Sequence, residues 1–175
     1  GGITTQNSNL AIGAYALGIT NGGNGNIGIG SYSGASNTGS DLVSIGFNAG
    51  RFQSGIGSVS IGSSAGVGSN GSGNIFLGYQ SGYYETGSNT LYISNSSSTT
   101  NGIYGNFANS RFGINQAPSA LTRTFDINGE LRIRDVVTTT PTKLMSIDND
   151  GVVSSLGISG LSISGGNLVS SAGST

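Results

Sequence analysis

The chain has 175 residues, 33 of them Gly, and only 7% carry charge against about 25% in an ordinary soluble domain. Two prolines and the lack of Gly at every third position exclude a collagen helix, and the steady return of Ile, Leu and Val excludes a Gly/Ser linker. A net charge of -1 without a basic stripe argues against a nucleic-acid partner, and the absence of Cys and His removes thiolate sites, His-dependent triads and the commonest zinc ligands.

The opening, "GGITTQNSNL", has no charged and apolar leader, and no apolar run approaches the ~20 residues of a membrane span, so this segment is not expected to insert into a membrane. It starts without Met and reads as a processed chain or a fragment. From residue 9 a repeat takes over. Ile12, Ile29, Ile45, Ile61, Leu77 and Ile93 form one column, at spacings of 17 and then four times 16. Two residues before each stands a second aliphatic: Leu10, Ile27, Val43, Val59, Ile75 and Leu91. Residues i and i+2 of a strand share a face, so each copy predicts a short strand with two aliphatics, expected to point inward as the structural core column. The residues between them, Ala11, Gly28, Ser44, Ser60, Phe76 and Tyr92, are then expected outside.

An Ala/Ser-Gly pair punctuates the second to fifth copies: Ser33-Gly34, Ala49-Gly50, Ala65-Gly66 and Ser81-Gly82. In the first copy Leu17 reads as an insertion between Ala16 and Gly18, which accounts for the spacing of 17. Such a short unit cannot bury a core alone and must stack. The fold expected for residues 1–98 is an all-β, parallel β-solenoid or β-roll of six coils, a rod of roughly 24 Å at about 4.8 Å per coil. Three identical chains packing their apolar columns around one axis would seal so thin a rod; a single-chain solenoid with caps satisfies the same pattern.

The rules change after the run "SNSSSTTNG" at 94–102. Residues 1–110 carry only Asp41, Arg51 and Glu85 as charges, whereas Arg111 to Asp150 carry ten, five of each sign. Residues 99–140 read as short intertwined strands. A two-residue hairpin at Asn128-Gly129 sets Ile127 against Glu130, while a three-residue loop sets Ile127 against Leu131 and Phe125 against Ile133. Either that loop is the longer one or these strands pair with another chain. Residues 141–175 predict hairpins, one with "LMSI" and "VVSS" flanking the four-residue loop Asp148-Asn149-Asp150-Gly151, the next around Gly165-Gly166, after which the sequence stops as if truncated.

The coils "NIGIGSYSG" and "SVSIGSSAG" resemble head repeats of trimeric autotransporter adhesins. The longer stretch "NIFLGYQSGYYETGSNTLYISNSSSTTNGIYGNF" with "RFGINQAPSALTRTFDINGELRIRD" looks like bacteriophage tail-fibre proteins, and that resemblance spans roughly residues 9–155. It implies a homotrimeric fibre of a phage virion, serving host-surface attachment through other virion proteins and a host glycan or protein. The alternative it implies is a trimeric adhesin or extracellular fibre subunit of the bacterial surface. The chaperone domain that commonly follows in such phage proteins is absent from this sequence.

Chemical motifs are sparse. Asp148 and Asp150 lack the ligand series of a calcium loop and read as a turn; Gly28-Ile29-Gly30 follows from composition rather than from a phosphate loop. Arg132 and Arg134 alternate with Leu131 and Ile133 as solvent-facing strand residues do. A depolymerase would need paired acids on one face, and Asp41 and Glu85 stand almost three coils apart. No catalytic, metal or cofactor site is therefore expected. Tyr79, Tyr83 and Tyr84 are the candidates for surface contact, able to stack on sugars or anchor a protein, or simply to pack at the solenoid's end.

Overall fold

In the computed structural model, residues 8–18, 23–98 and 102–129 are described in full, and four further strands by their backbone. The chain divides into two compact units, residues 1–131 and 132–175.

The first unit is a β-solenoid. Its six parallel rungs are β1 (Leu10–Ile12), β2 (Ile27–Ile29), β3 (Val43–Ile45), β4 (Val59–Ile61), β5 (Ile75–Leu77) and β6 (Thr90–Ile93). The register is that of the sequence repeat: Ile12 pairs with Ile29, then in turn Ile45, Ile61, Leu77 and Ile93. The sheet does not stop near residue 98. β7 (Ile103–Asn106) pairs antiparallel with β6, β8 (Arg111–Ile114) antiparallel with β7, and β9 (Phe125–Ile127) parallel with β8. Phe125 and Ile127 thus face Phe112 and Ile114 of the same chain. The alternative pairing with Leu131 and Ile133 lies outside the described residues, as do Arg132 and Arg134.

Backbone hydrogen bonds join the coils all the way round, not only at the rungs. Gly30 N–H donates to Ile12 O at 2.7 Å, Tyr32 N–H to Ala14 O at 2.9 Å and Gly34 N–H to Ala49 O at 2.8 Å. Neighbouring coils therefore approach too closely for side chains at some positions. At Gly30, with φ +122°, a Cβ would stand 2.7 Å from the Gly46 carbonyl oxygen.

The interior is narrow, and this reverses the expected faces. Ser44, Ser60 and Phe76 have no accessible surface, and Tyr92 has 5%. The flanking aliphatics, expected as the interior column, lie on the outside of the chain: Ile12 is 54% exposed, Ile61 and Ile93 39%, and the central ones are partly covered. A coil this small accepts one inward side chain per rung. It meets others from the opposite walls, such as Ala49 and Ala65, both fully buried. Two Ile or Val side chains per rung would not fit.

Much of the filling is polar and hydrogen-bonded. Ser33 Oγ donates to Ser44 O at 2.5 Å, and Gln53 Nε2 donates to Ser60 Oγ at 3.0 Å and Ser69 Oγ at 2.8 Å. Asn74 joins successive coils, accepting from Thr90 N–H at 2.9 Å and donating to Gly87 O at 2.8 Å. The buried apolar cluster is small and sits late in the stack: Ala65, Phe76, Tyr92 and Tyr104.

Leu17 is not an insertion. Its N–H donates to Ser33 O at 2.8 Å, as Gly34 N–H does to Ala49 O, so it occupies the Gly34 position with a left-handed φ of 50°. Gly18 then matches Ala35, whose carbonyl accepts from the following coil in the same way, and the Asn9 and Asn26 side chains donate to Gly23 and Gly39 alike. The extra residue of the first coil is therefore one of residues 19–22.

In the second unit, β10 (Lys143–Ile147) and β11 (Val153–Gly157) pair antiparallel with Ile147 against Val153, and β12 (Leu161–Ser164) and β13 (Asn167–Ser170) with Ser164 against Asn167. The second hairpin has the register read from the sequence; in the first, the four-residue loop Asp148–Gly151 would set Ile147 against Val152, and the observed register is one residue further on, which pairs Leu144 with Leu156 in place of Ser155. The connecting residues 148–152 and 165–166 lie outside the described residues.

Candidate functional site

Two surfaces of the solenoid carry features beyond what folding one chain requires. The first is the outer face of the rungs. Leu10, Ile27, Val43, Val59, Ile75 and Leu91 form one column and Ile12, Ile29, Ile45, Ile61, Leu77 and Ile93 the next, all partly or largely exposed. They sit on strands of three or four residues held in parallel register with their neighbours, β2 to β5 on both sides, so the face is regular and preformed.

The second is a cleft of about 470 Å³ where the last coils meet the segment after β6. Tyr83, Tyr84, Glu85, Thr86 and Ser88 approach it from the fifth coil, Asn106 from the end of β7, and Pro118 and Ser119 from the short helical turn between β8 and β9. The rings of Tyr83 and Tyr84 meet edge to face at 4.5 Å. Tyr84 rests against Gly68 of the preceding coil and is 67% exposed. Tyr79, the third tyrosine singled out from the sequence, is exposed too but does not line the cleft.

Glu85 is held from two sides. Gly87 N–H donates to its Oε1 at 2.5 Å, and the Tyr92 hydroxyl donates to its Oε2. Burial raises the Tyr92 phenol well above the usual tyrosine value, and the hydrogen bond and negative charge of Glu85 raise it further. For Tyr83 the hydrogen bond with Tyr84 is the leading cause of an upward shift.

The sequence reading passed over Glu85 as a site residue, because only the fold sets its carboxylate beside the Tyr92 hydroxyl. It also passed over an aromatic strip at the other end of the rod. Tyr15 and Tyr32 stack at 4.9 Å, close to the rise of one coil, and the Arg51 guanidinium lies 5.3 Å from the Tyr32 ring centre and 4.5 Å from that of Phe52. The 16-residue period was the available signal, since it places residues 16 or 17 apart in one column.

Among the described residues no cluster of three or more His, Cys, Asp or Glu could hold a metal ion, and no helix is long and apolar enough to cross a membrane. Comparison with models of known protein families, with curated protein sequences and with solved structures finds no match to this chain. The fold and its surfaces carry the functional argument.

Proposed function

We propose that this chain is a structural fibre segment of a phage virion, a tail fibre or similar appendage that serves host-surface attachment as a homotrimer. The observation behind it is the inverted distribution of apolar side chains. Each coil is filled largely by Ser, Asn, Gln and Ala, while twelve aliphatic side chains line the outside in two columns. If roughly a third of each remains accessible, covering them is worth about 0.5–1 kcal/mol apiece, or on the order of 6–12 kcal/mol per chain before association costs. That is comparable to the whole stability of a typical domain. A second copy of the same column matches its spacing rung for rung, which favours self-association around an axis.

The phage assignment itself rests on the resemblance of residues 103–134 to tail-fibre proteins. The same rod geometry would serve a bacterial surface adhesin, and antibody labelling of virions set against bacterial surfaces separates the two. Attachment by three parallel chains works through avidity: contacts of modest affinity are repeated about an axis and held at fixed spacing by the stiff coil.

Light scattering on the purified chain tests assembly, with a mass of three chains expected at micromolar concentration. Ile45→Asp places a carboxylate in each copy of the face and is expected to give a monomer that retains its β circular dichroism, because on a single chain this side chain reaches solvent. A monomeric wild-type chain refutes the assembly argument, as does an Ile45→Asp trimer of unchanged melting.

A further inference from the structure

We infer that the cleft at Tyr84 and Glu85 binds a neutral saccharide chain, an assignment that rests on the attachment reading and names its ligand class. A pyranose presents apolar C–H faces and a rim of hydroxyls, and so needs an aromatic surface beside fixed acceptors and donors. The cleft supplies both. Tyr84 offers an exposed ring braced against Gly68, with Tyr83 packed on its edge. Its backbone is left-handed, φ 59°, as it is at Ser36, Phe52 and Gly68, which fill the same position of the preceding coils.

Glu85 supplies the fixed acceptor. Each of its oxygens already takes one donor from the protein, Gly87 N–H or the Tyr92 hydroxyl, which leaves one further acceptor position on each. Two acceptors at carboxylate spacing suit two adjacent sugar hydroxyls. Thr86 and Ser88 of the fifth coil and Asn106 at the end of β7 also line the cleft. Among the described residues no Lys or Arg lines the cleft, so the Glu85 charge there repels anions and leaves uncharged sugars as the class that fits. Among the described lining residues Glu85 is the single carboxylate, short of the pair that glycoside hydrolysis uses, so the ligand is held, not cut.

The test is isothermal titration of the assembled chain with neutral gluco-, galacto- and manno-oligosaccharides of four to six units, and with the corresponding uronic-acid oligomers. At least one neutral series is expected to bind, with the uronic series weaker. Glu85→Gln is expected to weaken that binding by about tenfold or more, the scale of one hydrogen bond to a charged group. Tyr84→Asn, chosen because Asn adopts the left-handed backbone readily, is expected to do the same, whereas Tyr84→Phe keeps the ring and binds as wild type. Failure of every neutral series to bind overturns the assignment. So does preference for the uronic series, or unchanged binding by both Tyr84→Asn and Glu85→Gln. A trimer that binds no sugar refutes the cleft alone, and a monomer that binds sugar refutes the fibre reading alone.

Discussion

Phe76 and Gly82 test whether the coil interior is filled by complementary volumes. The Phe76 ring has no accessible surface, and a Cβ built on Gly82 would stand 2.0 Å from its Cδ1 and 2.2 Å from its Cε1. Removing the ring by Phe76→Ala is expected to cost about 3–5 kcal/mol, the range for truncating a buried aromatic. Gly82→Ala adds one methyl at φ 64°, for about 1–2 kcal/mol of backbone strain, and drives it into the ring for about 1–3 kcal/mol more. In the double variant the ring is gone, so the overlap disappears and the methyl fills part of the void. Its total cost should fall short of the sum by about 2 kcal/mol. Guanidinium unfolding of the four proteins at one fixed concentration gives the cycle, since the concentration of an associating chain enters its stability. Additive costs within about 0.5 kcal/mol would mean that ring and glycine do not share this space.

The Tyr92 phenol makes an alkaline prediction. Its value is raised in the folded chain, so the contribution is complete below the ordinary tyrosine value near 10 and is lost as pH climbs above it, because the unfolded chain releases a proton that the folded one keeps. Wild-type stability should therefore fall more steeply above pH 10 than that of Tyr92→Phe, by at most about 1.4 kcal/mol per pH unit. Melting temperatures of both proteins between pH 8 and 11.5 measure this, and parallel alkaline limbs would contradict it. Asn74→Ala strips a fully buried side chain and leaves Thr90 N–H and Gly87 O without their partner. About 1–3 kcal/mol is expected for each stranded group, so unfolding free energy should drop by about 2–6 kcal/mol, and a loss under 1 kcal/mol would refute the role given to this side chain.

The repeat was legible in the sequence because a solenoid fixes spacing more strictly than composition: the rungs from Leu10 to Ile93 and their register follow from aligning the aliphatic pairs. Which face turns inward was not legible by the usual rule. That rule sends aliphatics to the interior of the chain, but a coil closed by 16 residues leaves too little room for them. The informative column was the one between, Ala11, Gly28, Ser44 and Ser60, small where the interior is narrowest. Its change to Phe76 and Tyr92 marks where the volume opens. Leu17 misled for a related reason: in a column of glycines a Leu with left-handed backbone reads as an insertion until the hydrogen bond to Ser33 assigns its place. The partner of Phe125–Ile127 was missed because the near-sequence hairpin signal drew attention from β8, where Phe112 and Phe125 stack at 5.8 Å.

The candidate cleft arises where the repetition ends. A parallel stack left open at β6 would offer a row of unpaired backbone groups to any other strand. The chain avoids this by turning β7 antiparallel onto β6 and by plugging the end of the interior with aromatics. Tyr92 meets Phe76 at 5.8 Å and Tyr104 at 5.1 Å. Three rings need more width than the Ser and Ala of the earlier coils, and the segment between β8 and β9 folds back beside the widened end with Pro118 and Leu121 buried. That fold-back stands clear of the fifth coil's turn, and the space between them is the cleft. The Tyr92 hydroxyl, carried to the edge of the plug, is also what holds Glu85 in it. One aromatic thus closes the rod and positions the carboxylate, so a change at residue 92 should disturb the cap and the cleft together, whereas a change at Tyr84 should touch only the cleft.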